Sequence, residues 1–230
     1  MLPDSRSIDT IGFDSFGTLV NAIDPMTEAL NPVSDEPAAV ASLWRKRAVF
    51  YCLICDDLDA YEPYLKMHRY GLRYALDRYG IEATDEEVRD LNDILLDLPP
   101  FDDVTALADL AAAGYNLYIV SNGNQPMLDG LIDATSVGPH LQDTVSADDV
   151  ELYKPAPELY EAALERAQTP PERMLMVSAG VLDTQGAQHV GMEGCWINRE
   201  KHDFISQEEP FGPDPNWRID SLHELVAKFG

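Results

Sequence analysis

Cysteine, lysine and unbroken apolar sequence are all scarce in this chain of 230 residues, which has three cysteines and five lysines. No run approaches the roughly 20 apolar residues of a membrane span. The opening residues, with Asp4 and Asp9 around Arg6, lack the basic and apolar regions of a secretory signal, so the expected location is the cytoplasm. The cysteines supply one Cys-x-x-Cys, Cys52 and Cys55, inside an apolar helical stretch, and Cys195 on a predicted strand. Without a second pair they make neither a zinc ribbon nor a disulfide framework, and buried free thiols are expected. His68, His140, His189, His202 and His223 are scattered without metal-ligand spacing, so no metal site is read from them.

What is abundant is acid. Asp and Glu number 41 against 16 Lys and Arg, a formal net charge of -25. Such a chain repels nucleic acid and anionic membranes rather than binding them. Acid excess with only Lys46, Lys66, Lys154, Lys201 and Lys228 as lysines looks like the proteome of salt-loving archaea, where salt screens the self-repulsion. A hydrophobic content of 45% suffices for one compact unit, or a core with a small inserted cap, and argues against disorder.

The pattern along the chain has two rhythms. Ile8 to Phe13 reads as a strand, after which residues 22–100 carry helical patterns only. A first helix from about Pro37 places Val40, Leu43, Trp44, Tyr51 and Ile54 on one face. A second runs from about Pro63 to Arg78. A third opens with the capping-box pattern Thr84-Asp85-Glu86-Glu87 and buries Val88, Leu91 and Leu95, and Pro99-Pro100 ends it. From Asp102 helices and strands alternate: helix through Ala113, strand 115–120, helix after Pro126, short strand 144–146, helix 156–167, strand 174–178, helix 183–191, strand 194–197. Alternation of this kind predicts a parallel α/β sheet. The expected organisation is a core of residues 1–21 and 101–230 with a helical cap at 22–100. Gln207 to Asn216 is expected to be a surface loop.

The strand ends carry the chemistry. Ile11-Gly12-Phe13 runs into Asp14 and then Gly17-Thr18, the position in which a carboxylate is held as a nucleophile at a strand's C-terminal end. The next strand ends in Ser121-Asn122-Gly123, Lys154-Pro155 follows in a loop, and Val177 is followed by Ser178 and Asp183. In that order these residues can gather on one edge of a parallel sheet. Each also has a plain structural role available: Asp14 as turn punctuation, Lys154 on the surface, Thr18, Ser121 and Asn122 satisfying turn backbone, and Asp183 capping its helix.

This order of residues resembles the haloacid dehalogenase superfamily and, within it, the type II L-2-haloacid dehalogenases. Leu43-Trp44-Arg45, Val120-Ser121-Asn122-Gly123-Asn124 with Met127-Leu128-Asp129, and Leu152-Tyr153-Lys154-Pro155 carry the narrower likeness. Cys195-Trp196-Ile197-Asn198-Arg199 and Trp217 to Leu222 add to it. The resemblance implies a Rossmann-like core with a helical cap, no cofactor, homodimers, and hydrolysis of short L-2-haloacids to 2-hydroxy acids through an ester on Asp14. It further implies that Lys154 polarises Asp14 and that Thr18, Ser121 and Asn122 donate hydrogen bonds to Asp14 and the substrate carboxylate. Ser178 and Asp183 would orient water and Lys154. Ser15 and Phe16 fall beside the substrate, Arg45 receives the halide, and Val49, Tyr64 and Tyr160 line an apolar pocket.

Two absences separate the chain from the magnesium-dependent phosphatases of the superfamily. Phe16 stands where their general acid would be, and Ala179 follows Ser178 where they place a magnesium-binding Asp; an alanine side chain offers magnesium no oxygen. Three positions depart from the dehalogenases themselves: Phe16 for Tyr, Gly180 for Asn and Leu182 for Trp. These losses thin the polar contacts on the ester-hydrolysis side and enlarge the pocket. The readings left open are a phosphatase or phosphonatase and a non-catalytic descendant that binds small acids.

Overall fold

The computed structural model describes residues 7–199, 201 and 213–229. Six strands form one parallel sheet in the order β3-β2-β1-β4-β5-β6: β1 (Thr10–Phe13), β2 (Asn116–Ser121), β3 (Leu141–Ser146), β4 (Met174–Ser178), β5 (Glu193–Ile197) and β6 (Trp217–Ile219). β1 and β4 are buried along their whole length, as expected for strands covered by helices on both faces. The chain builds outward from β1 through β2 to β3, then crosses to the other side of β1 for β4. The reversal beside β1 is the crevice in which open α/β sheets bind ligands. Phe13 pairs with Ile119 and with Val177, so Asp14 leaves the sheet level with Ser178 and one residue short of Ser121.

Between β1 and the rest of the sheet lie α1 (Ile23–Leu30), α2 (Pro37–Asp57), α3 (Tyr64–Arg78) and α4 (Asp85–Asp93). α2 and α3 pack closely because Gly71 has no side chain: a Cβ there would lie 2.7 Å from the Trp44 carbonyl oxygen. The Trp44 indole N–H donates to the His68 carbonyl across the same contact at 2.7 Å. α4 starts on the expected capping box, with the Thr84 hydroxyl accepting from the Glu87 N–H and the Glu87 carboxylate accepting from the Thr84 N–H. The insertion leaves and rejoins the sheet region side by side. The Asn21 N–H donates to the Pro99 carbonyl at 2.9 Å, and the Phe101 N–H to that of Leu19 at 3.0 Å.

The remaining helices are α5 (Ala106–Ala112), α6 (Gln125–Thr135), α7 (Ala147–Val150), α8 (Pro157–Ala167), α9 (Val181–His189) and α10 (Leu222–Phe229). Among the described residues no helix is long and apolar enough to cross a membrane.

Several expectations need correction. α1 was not foreseen; its eight residues are too few for a clear apolar period, and its start is set by the Asn21 side chain accepting from the Ile23 and Asp24 N–H groups. β6 and α10 were also missed, since a three-residue strand carries no alternation to read. Ile54 does not join the buried face of α2 and is 39% exposed, whereas Val40 and Trp44 are buried. The helix expected from Asp102 begins as a 3-10 turn over Asp102–Thr105. Cys52 and Cys195 are buried free thiols, but Cys55 is only half-buried. Of the expected loop, residues 207–212 lie outside the described residues.

Candidate active site

Three strand ends and two loops converge on Asp14. Its backbone N–H donates to Val177 at 2.9 Å, which fixes it against β4. The chain then turns sharply at Gly17, whose φ of 85° lies in the left-handed region open to glycine. That turn folds Thr18 back so that its hydroxyl donates to Asp14 Oδ2 at 3.0 Å and accepts from the Ala179 N–H at 2.9 Å. Lys154 reaches the other oxygen: its ammonium donates to Asp14 Oδ1 at 3.0 Å and to Asp183 Oδ2 at 2.8 Å. The lysine side chain is only 7% exposed, so it is not a surface residue.

Each partner is itself held. Asn122 accepts the Lys154 backbone N–H through its side-chain oxygen at 2.8 Å. The Tyr160 hydroxyl donates to Asp183 Oδ1 at 2.7 Å, so Asp183 is bonded through both oxygens. It does not cap α9, whose N-cap residue is Gly180. Ser121 and Ser15 share a hydrogen bond of 2.5 Å, and Ser121 accepts the Gly123 N–H. Ser178 accepts the Gly180 N–H at 3.0 Å. The serines therefore serve the loop backbone in this structure, and Asn122 serves the lysine loop. Of the three donor candidates only Thr18 bonds Asp14 directly.

The electrostatics favour an ammonium at the centre. Burial opposes the charge on Lys154, but Asp14 and Asp183 outweigh it and hold its pKa above the ordinary value. Burial also raises the Asp183 carboxyl, Lys154 opposes that rise, and Asp14 adds to it. Tyr160 is pushed well up by burial and then by the Asp183 charge, so it remains a hydroxyl donor.

Two side chains of the helical insertion approach Phe16, beside Asp14. Tyr64 is buried, with its ring centroid 6.0 Å from that of Phe16. Arg45, on α2, lines a cavity of about 380 Å³ together with Phe16, Gly17, Ala179, Trp196 and Arg199, whereas Asp14 and Lys154 do not line it. Val49 lies one turn along α2 from Arg45 on the same face, is 41% exposed and is absent from that lining. Leu182 is 54% exposed, and a Cβ at Gly180 would make only ordinary contacts at 3.6 Å or more. Space is open on that side of Asp183.

Sequence reasoning gave no role to Asp56. From the end of α2 its carboxylate accepts the Tyr153 N–H at 3.1 Å, and the Tyr153 hydroxyl donates to the Glu62 carbonyl. The insertion thereby grips the loop that carries Lys154. A lone aspartate at a helix end has no periodic or motif signal by which to find it.

A carboxylate at the end of the central strand, clamped by a lysine and a threonine from neighbouring loops, is the arrangement of the haloacid dehalogenase-like hydrolases. A sequence model of that family matches residues 8–191, and the chain belongs to it. It is 31% identical to (S)-2-haloacid dehalogenase 1 of Pseudomonas sp. (strain CBS-3), covering 93% of this chain and 92% of the relative. It is 30% identical to an (S)-2-haloacid dehalogenase of Pseudomonas putida, over 94% and 99%. A crystal structure of an L-2-haloacid dehalogenase superposes with a TM-score of 0.90 at 27% identity, covering 96% of this chain and 98% of the other.

Proposed function

We propose that this protein hydrolyses short L-2-haloalkanoic acids to 2-hydroxy acids through an ester on Asp14. The observation that carries the reading is the Asp14 carboxylate held at one oxygen by Lys154 and at the other by Thr18, with Phe16 and Ala179 where phosphatases keep their acid and a metal ligand. A nucleophile without an adjacent acid suits a leaving group that departs without a proton, and halide is such a group.

One Asp14 oxygen attacks Cα of the substrate from the side opposite the halogen. The new C–O bond forms as the C–halogen bond breaks, halide leaves with the electron pair, and Cα inverts. Water then adds to the Asp14 carboxyl carbon, the 2-hydroxy acid departs with its oxygen, and the carboxylate returns with release of a proton. Lys154 steadies the charge on Asp14 through both steps. Asp183, fixed by Tyr160 and Lys154, and Ser178 face the ester and orient the water. Arg45 receives the halide or the substrate anion from α2. Ser15, Phe16, Tyr64, Ser121, Asn122 and Tyr160 form the substrate's surroundings.

Residues 22–100 act as a cap on a core of 1–21 and 101–230; the paired linker crossings at Leu19–Asn21 and Pro99–Phe101 support that division. An outward apolar stripe on α2, with Phe50 and Leu53 each 46% exposed beside Val49 and Ile54, supports a homodimer. The charge of -25 supports work in a salt-rich cytoplasm.

The test is halide release from each enantiomer of 2-bromopropionate in high potassium chloride with EDTA, for this chain and for Asp14→Asn. Release from the L-enantiomer, lost in the variant, supports the reading. A folded parent that releases no bromide, yet turns over p-nitrophenyl phosphate with magnesium, overturns it.

A further inference from the structure

Arg199 stands just past the end of β5, far in sequence from Asp14, yet its guanidinium reaches the nucleophile loop. One terminal nitrogen donates to the Thr18 carbonyl at 2.7 Å, and the other donates to Asp103 Oδ2 at 2.7 Å. Its planar face lies over the Phe101 ring at 4.0 Å. Asp103 Oδ2 also accepts the Leu222 N–H that opens α10, at 2.8 Å. The side chain of Arg199 is 17% exposed and that of Asp103 9%, so solvent screens this pair little.

We propose that Arg199 is a positioning residue for the nucleophile, fixing Thr18 by its carbonyl and thereby the direction in which Thr18 holds Asp14 Oδ2. The chain of contact is short and continuous. Arg199 pins the Thr18 carbonyl, the Thr18 hydroxyl donates to Asp14 at 3.0 Å, and the Ala179 N–H donates to that same hydroxyl at 2.9 Å. The loop turns at Gly17, φ 85°, immediately before Thr18. The turn's N–H groups are spent within it, Gly17 donating to Val20 and Thr18 and Leu19 to Ser15, and the guanidinium is the side chain that donates to the outward Thr18 carbonyl. A planar guanidinium stacked on the Phe101 ring suits this task; a lysine ammonium, a point charge on a flexible stem, has no flat face for that ring to hold in place under the carbonyl.

The same fork ties the returning linker to the site. Phe101, under the guanidinium, donates its N–H to the Leu19 carbonyl next to Thr18. One residue therefore sets both the nucleophile loop and the point where the helical insertion rejoins the sheet.

The inference rests on Asp14 being the dehalogenase nucleophile, and the experiment separates the two. Arg199→Lys, Arg199→Ala and Asp103→Asn are compared with the parent for kcat and KM of bromide release from L-2-bromopropionate, with Tm measured for each. Misplacing a catalytic group by about 1 Å costs up to about 100-fold. Arg199→Lys should accordingly lose at least about tenfold in kcat with KM within about twofold, a split that marks a lost transition-state contact. Asp103→Asn, which leaves the Thr18 contact in place, should lower Tm but keep kcat within about threefold. Arg199→Ala should regain kcat with added guanidinium chloride but not with equal potassium chloride. Should Arg199→Lys fail to fold, the Asp103→Asn and Arg199→Ala results decide. If kcat in Arg199→Lys stays within about threefold of the parent, or if Asp103→Asn loses kcat in parallel with Arg199→Lys, Arg199 is a structural anchor and the inference falls. A parent that releases no bromide overturns the dehalogenase reading and this inference with it.

Discussion

His68 predicts a pH dependence of stability that one substitution isolates. It is 5% exposed, its ring stands edge-on to Tyr64 with centroids 4.6 Å apart, and its Nδ1 has no hydrogen-bond partner. Burial first, and then the nearby Arg45 charge, press its pKa down from 6.5 to about 3. The folded protein thus keeps His68 neutral while the unfolded chain binds a proton below about pH 6.5. Stability is fully present above the unfolded value, falls as pH drops below it, and stops falling near the folded value of about 3. Each pH unit inside that window costs about 1.4 kcal/mol for one proton, so going from pH 7 to pH 5 costs about 2 kcal/mol through this residue. His68→Phe keeps a ring against Tyr64 and Trp44 and removes the titration. Urea unfolding of parent and variant at both pH values gives the test, because every other titrating group is common to the two and cancels. The parent should lose about 2 kcal/mol more than the variant over that interval. Equal losses would refute the reasoning and mean that His68 is protonated, or solvated, in the folded protein.

Two further substitutions probe the site and the insertion separately. A Cβ at Gly186 would lie 2.7 Å from the Tyr160 hydroxyl oxygen and 2.9 Å from the Pro155 Cβ, so Gly186→Ala should push Tyr160 off Asp183 and lower kcat by about 10- to 100-fold. Steady-state bromide release reads this, and an unchanged kcat would mean that Tyr160 is dispensable for orienting Asp183. Thr84→Ala removes the capping hydroxyl of α4 and should cost about 1 kcal/mol of stability, seen as a lower urea midpoint, with bromide release unchanged.

Local order was legible in the residues themselves. The apolar runs of β1, β2 and β4, the Thr84 capping box and the alternation after Asp102 follow from backbone preference and side-chain period, which depend only on near neighbours in sequence. The order of Asp14, Ser121, Lys154 and Asp183 was legible for a related reason: in a parallel sheet every strand ends on the same edge, so strand-terminal residues converge whatever the connecting lengths. Short elements were not legible. α1 rests on the Asn21 side chain, and β6 is stabilised by pairing with β5 across about twenty intervening residues.

Roles inside the site depended on tertiary geometry. Whether Asp183 caps a helix or orients a lysine is a matter of which partner lies within 3 Å, and packing brings Tyr160 and Lys154 there. Val49 and Arg45 share one face of α2, a turn apart, yet Arg45 lines the cavity beside Phe16 while Val49, 41% exposed, does not. Asp56 and Arg199 hold the loops that carry Lys154 and Thr18 through backbone groups, and a backbone carbonyl or N–H carries no residue identity from which a distant partner can be read. The chain by itself determined the longer strands of the sheet, the longer helices inserted after its first strand and the chemistry available at the sheet's edge. Folding alone decided which hydrogen bonds aim that chemistry, because they join residues as far apart as Thr18 and Arg199.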